Sequence, residues 1–125
     1  MSQPQDQWGQ AAAAAGQTAL PVTTTFEFPE WKIDRYVGSC FGLIVRSMGA
    51  LKGLGAAFRT IAGGEVTQYT ELLEDSRRHA VDRMIENARI MGANAIVGMR
   101  FDSSEIGESL TEIVAYGTAV VVSAR

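Results

Sequence analysis

Alternation with a period of two opens the patterned part of the chain. Over residues 33–45, Ile33, Val37, Phe41, Leu43 and Val45 share one parity, while Asp34, Tyr36, Gly38, Cys40 and Gly42 share the other. This predicts a strand with one bulky face and one nearly bare face. Glycine weakens a strand interior, so Gly38 and Gly42 mark either a bend or the close approach of another backbone. Upstream, Phe26, Phe28 and Trp31, with Pro29 between them, read as an edge or covering segment leading into this strand.

Residues 47–64 hold five glycines around Leu51, Leu54, Phe58 and Ile61 at helical spacing. They predict a short connector helix, each interior glycine weakening it by up to about 1 kcal/mol. A longer helix follows. Tyr69, Leu72, Leu73, Ser76, Ala80, Met84, Asn87 and Met91 fall on one stripe, with Glu71, Glu74, Asp75, Arg78, Asp82, Glu86 and Arg89 mostly opposite. Gly92 suits the left-handed position just past its end. Two strands close the pattern, over residues 95–102 and 110–122, with a polar hairpin loop at 103–109.

In the last strand both faces are apolar: Ile113, Ala115, Gly117, Ala119 and Val121 on one, Val114, Tyr116, Val120 and Val122 on the other. The small residues Ala115, Gly117 and Ala119 would let the long helix approach closely. One helix covers one face only, so the second face predicts a second cover, most economically another subunit. Leu54 and Phe58 of the connector are expected to pack beside Val114, Tyr116, Val120 and Val122 in that contact. The order is β-α-β-β, an α+β fold of two layers with one long helix on an antiparallel sheet.

Residues 1–25 are rich in Gln, Ala, Gly and Thr and offer only Trp8, Leu20 and Val22 as bulky apolar groups. They read as a disordered tail ahead of a domain over residues 26–125, with Trp8 as the single candidate anchor for a docking peptide. A chain of 125 residues suits one domain. Its net charge of −3 argues against nucleic-acid binding through a basic face. No membrane span and no signal peptide are legible, and a cytoplasmic location is expected.

Gly63-Gly64-Glu65, then Tyr69, Leu73, Arg77 and Ala80, then residues 92–98 (Gly-Ala-Asn-Ala-Ile-Val-Gly) and 116–120 (Tyr-Gly-Thr-Ala-Val) resemble the YbjQ family over roughly residues 33–122. That group is labelled "putative heavy-metal-binding". The resemblance implies a dodecin-like subunit assembled as a ring, commonly a homopentamer. Its label alone points to a metal ion as cofactor, and it carries no settled biochemical role. Relatives often place a polar or acidic residue after the first-strand glycine. Here Leu43 follows Gly42, so a role resting on that acid does not carry over.

Cys40 and His79 are the only cysteine and histidine. They are the candidate metal ligands, one soft and one borderline, which ring symmetry would multiply. Against this, a lone strand cysteine is ordinarily a small buried hydrophobe. A small ligand is the other candidate, held by the glycine-rich connector with Arg46, Lys52 and Arg59 nearby, or stacked on Trp31. No P-loop order is present. No nucleophile and base are placed together, and Glu105 with Glu108, or Glu74 with Asp75, read as solubilising charge. The expectation is a homo-oligomeric, non-catalytic binding or structural protein, with metal or small-ligand binding at subunit interfaces as the alternative.

Overall fold

The computed structural model describes residues 20–47 and 67–125. Strand β1 spans Trp31–Ser47, helix α1 Thr67–Ile90, strand β2 Ala95–Ile106 and strand β3 Leu110–Ala124. The sheet has the order β1-β3-β2 and both pairings are antiparallel. Helix α1 lies on one face, against β1 and β3. The expected α+β order is therefore present, and the connector over 48–66, with Leu54 and Phe58, falls outside the described residues.

Both flanking strands run further than the pattern of apolar residues predicts. Ser103, Ser104, Glu105 and Ile106, expected in a loop, pair with Ile113, Glu112, Thr111 and Leu110. Backbone pairing needs no apolar side chain when both faces are in water, so hydropathy marks a strand's buried length and not its hydrogen-bonded length. Only residues 107–109 make the turn.

The bare face of β1 is the buried one. Cys40, Gly42 and Ile44 pair with Gly117, Ala115 and Ile113 and face the helix. A Cβ added at Gly42 would sit 2.1 Å from the Ala80 carbonyl oxygen and 2.3 Å from the Met84 nitrogen, so glycine is what lets helix backbone meet strand backbone. Of the two outcomes open at this glycine, close approach is the one realised. Near Gly38 the strand bends instead, with register shifts at Ile33/Arg35 and Tyr36/Gly38. The space beside Gly117 is taken by Ile96 and the β2 backbone, so the helix comes closest over β1 and not over the small residues of β3.

On α1 the buried residues are Ser76, Ala80, Val81, Met84, Ile85 and Ala88. The predicted stripe is right at Ser76, Ala80 and Met84. It runs too far round at Leu73, Asn87 and Met91, which are exposed. The helix ends as Gly92 predicts: Gly92 has φ 93°, its N–H donates to Arg89, and Ala93 N–H donates to Ala88. This paired closure satisfies two of the last carbonyls. Asn94 then clamps the joint to β3, donating to the Val122 carbonyl at 3.0 Å and accepting from its N–H at 2.8 Å.

The tail boundary expected after Thr25 lies too late. Residues 20–25 run along β2: Val22 bridges Ile96 in parallel, Thr23 donates to Ile96, Ile96 to Pro21, and Gly98 and Met99 to Thr25 and Thr23. Val22 is buried and Leu20 packs on the helix-side core. The chain then crosses to the far face of the sheet, where Phe28 is buried with Ala95, Val97, Val120 and Val122, and stacks edge-on against Trp31. Burying such side chains contributes about 1.5–3 kcal/mol each, which the tail's short apolar content did not suggest.

Candidate functional site

The far face of the sheet divides into two halves. Nearest the strap that residues 20–25 form along β2, it is closed by Phe28 and Trp31. Beyond it, Phe41 pairs with Tyr116, Leu43 with Val114 and Val45 with Glu112, all with parity opposite to the helix-facing Cys40, Gly42 and Ile44. Phe41 is 58% exposed, Val45 48%, Tyr116 39% and Leu43 37%. On the β2 side the same rows continue into Arg100, opposite Tyr116, and Asp102, opposite Val114. Four large apolar side chains thus share one open face with a charged border. Contiguous apolar exposure of this kind marks an interaction surface more often than scattered single residues do.

Of the six residues expected in a subunit contact, Val114 and Tyr116 lie on this open half. Val120 and Val122 do not: both are buried under the chain's own Phe28 and Trp31. Part of the second cover predicted for β3 is therefore intrachain. Leu54 and Phe58 are outside the described residues. Phe41, Leu43 and Val45 complete the surface and were not among the six. Their common parity was the signal, and it needed only the recognition that the glycine-bearing face is the one a helix can sit on.

Cys40 and His79 are held in different places. Cys40 is 2% exposed and its Sγ–H donates to the Gly117 carbonyl at 3.6 Å. Burial pushes its thiol from 9.0 up to about 11, partly offset by the Gly117 backbone. His79 is exposed on α1, its Nδ1 2.8 Å from an Arg46 Nη2 that also lies 3.3 Å from Asp75. Arg46 Nε donates to the buried Ser76 hydroxyl at 3.1 Å, and Ser76 donates to Leu72. This hub ties the end of β1 to α1. Cys40 is thus buried beneath α1, whereas the exposed His79 side chain is turned to Arg46 and Asp75.

Among the described residues no three His, Cys, Asp or Glu side chains converge as a metal site. A buried thiol held neutral is a poor ligand, because metal binding takes the thiolate. The carboxylate pairs are solvated: Glu74 lies 3.7 Å from Arg78 along the helix, and Asp75 serves Arg46. Among the described residues no helix is long and apolar enough to cross a membrane.

The Cys40 environment has a consequence for pH. Its folded value lies above its unfolded one, so above about pH 9 the unfolded chain sheds a proton that the folded chain keeps. Stability is expected to fall as pH rises from 9 towards 11, by an amount on the order of 2–3 kcal/mol for a two-unit shift. Cys40→Ala should flatten that slope in melts taken across the range. An unchanged slope would contradict the burial of the thiol.

A family profile described as "Putative heavy-metal-binding" matches residues 20–123. A UPF0145 protein of Bradyrhizobium sp. is 51% identical over 106 residues, covering 85% of this chain and 96% of that one. A UPF0145 protein of Methanoregula boonei is 52% identical over 101 residues, 81% of this chain and 84% of that one. Another from Sulfurisphaera tokodaii is 46% identical over 107 residues, 86% and 94%. A crystal structure of a DUF74-family protein of unknown function from Pediococcus pentosaceus covers 83% of this chain and 98% of that one. Its identity is 11% and its TM-score 0.46, too low to argue from.

Proposed function

The chain belongs to the YbjQ family, and on that footing we propose that it is a homo-oligomeric, non-catalytic binding or structural protein. The observation that carries this is the open half of the sheet, where Phe41, Leu43, Val45 and Tyr116 face water in the single chain. A second copy is the occupant with the simplest logic, since one sequence then supplies both sides of the contact. The assembly is a closed ring of dodecin-like subunits in the cytoplasm, with five subunits as the family resemblance implies.

Two features support a non-catalytic role. Among the described residues Cys40 is buried and neutral, and the Nδ1 of His79 is engaged by Arg46. The metal in the family's description does not fit Cys40 and His79 of one chain, because the thiol is buried and neutral and the imidazole is engaged by Arg46.

Native mass spectrometry of untagged protein tests the proposal. The expected result is one dominant species at five times the 13.4 kDa chain mass, with no smaller species at micromolar concentration. A bare monomer under the same conditions would overturn it.

A further inference from the structure

The hub that ties the end of β1 to α1 contains a side chain whose charge changes with pH. Arg46 reaches across from β1 and donates to three side chains of α1. Its Nε meets the buried Ser76 hydroxyl at 3.1 Å, and its Nη2 meets Asp75 Oδ2 at 3.3 Å and His79 Nδ1 at 2.8 Å. A guanidinium carries donors only, so the Nδ1 it meets must offer a lone pair. His79 is therefore neutral in this arrangement. Its proton sits on Nε2, the nitrogen 3.8 Å from Asp75 Oδ1.

A second proton on His79 reverses these preferences. Its Nδ1–H would face the N–H groups of Arg46 across 2.8 Å, donor against donor and cation against cation. The imidazolium has two carboxylates on its own helix to turn to. Asp75 lies one turn before it, and Asp82 follows three residues later, spacings that bring side chains together on a helix surface. Burial raises the Asp82 carboxyl and the charge of His79 pulls it back down, which marks the two as electrostatic neighbours. Of the nearby cations on α1, Arg78 is paired with Glu74, and Arg83 stands one turn beyond His79. Among the described residues Arg46 is the charged group that meets His79 from another element.

Asp75 is also the carboxylate that Arg46 uses. Once Asp75 turns to the imidazolium, Arg46 loses both Nη2 ties and keeps the single bond from Nε to Ser76, whose own hydroxyl proton is committed to the Leu72 carbonyl at 2.8 Å.

We infer that Arg46, Asp75 and His79 form a proton-operated latch, in which neutral His79 lets Arg46 fasten the end of β1 to α1 and protonated His79 takes Asp75 and frees that end. Histidine suits the role because its charge ordinarily changes between pH 5 and 8. The proton moves a tie from one pair to another, so the effect is local. Solvated ion pairs contribute little to global stability, and the opening is confined to the strand end. Val45, the last apolar residue on the open half of the far face, precedes Arg46 in the strand, so release loosens the rim of that surface. The inference goes beyond the homo-oligomeric reading and does not need it, since all three groups belong to one chain.

Hydrogen exchange of the Val45–Ser47 amides that bond to β3 tests the latch, with protection expressed relative to the chemical exchange rate at each pH. Nitrogen NMR of the His79 ring on the same samples reports its protonation. At pH 8 the ring should carry its proton on Nε2 with Nδ1 bare. Between pH 8 and pH 5.5 protection should fall about threefold or more, while the amides around Ala119 stay unchanged. His79→Gln keeps an acceptor and gains no charge, so it should hold the high protection at both pH values. His79→Lys places a permanent cation beside Arg46 and should show the low protection at both. The position is exposed, so both variants are expected to fold. Equal protection of the wild type at the two pH values would overturn the inference, as would a wild-type pH response in His79→Gln or an Nδ1 that is protonated at pH 8.

Discussion

Tyr116→Glu should convert the assembly into folded monomers. The position lies on the open half of the sheet, with its side chain 39% exposed. Arg100 stands directly across from it on β2 with its guanidinium tied to the Thr24 and Met99 carbonyls, so in the single chain the new carboxylate is solvated by water. In a covered surface the same charge must be desolvated among Phe41, Leu43 and Val114, which costs several kcal/mol. Light scattering should report at least a hundredfold weaker association, about 3 kcal/mol, with a melting temperature of the isolated chain close to that of other monomeric variants. A wild-type mass for this variant would mean that the open half is not where copies meet.

The second large effect is expected at Gly42. Alanine there would press its Cβ into the Ala80 carbonyl and the Met84 nitrogen, and neither can rotate away because both are backbone. Helix α1 must lift off the sheet, opening the core around Met84, Ile113 and Ala115. The loss should be about 3 kcal/mol or more, a fall in melting temperature of roughly 10–20 °C for a domain of this size. Gly117→Ala is the matched control. Its nearest neighbour is a side-chain methyl of Ile96 at 2.8 Å, with the Val97 carbonyl at 3.0 Å, so it should cost less. Equal melting of wild type and Gly42→Ala would show that helix and strand do not approach as described.

Element order was legible because each element has its own period. The alternation around Cys40 and the 3.6-residue stripe through Ala80 and Met84 leave few alternatives, and Gly92 punctuates the joint between helix and strand. What failed was placement across the sheet. Phe28 lies far from Val120 and Val122 in sequence and beside them in space, so no local pattern could say that this half of the far face is already covered. The strap at 20–25 was missed for a related reason. Three threonines between Val22 and Phe26 look like tail, yet their backbone satisfies an otherwise open edge of β2. Local hydropathy does not register a hydrogen-bonding partner supplied by a distant strand.

The candidate chemistry was less legible than the surface. Cys40 and His79 attract notice by being single, but uniqueness says nothing about proximity. Cys40 is buried under the helix with its thiol donating to Gly117, and His79 is exposed on the helix against Arg46. For the contact surface the sequence reading found Val114 and Tyr116 from the two-faced apolar pattern of β3. Phe41, Leu43 and Val45 follow once Gly42 identifies which face of β1 the helix occupies.

The most direct test of the covered far face is hydroxyl-radical footprinting of the native protein with Phe26 as an internal reference. In the single chain Phe26 and Phe41 are both open to solvent, at 72% and 58%. A homo-oligomer joined through the open half of the sheet predicts strong labelling of Phe26 with Phe41 and Tyr116 protected, recovery of both on dilution to monomer, and recovery of Phe41 in Tyr116→Glu. Equal labelling of Phe26 and Phe41 in the native protein would contradict the account.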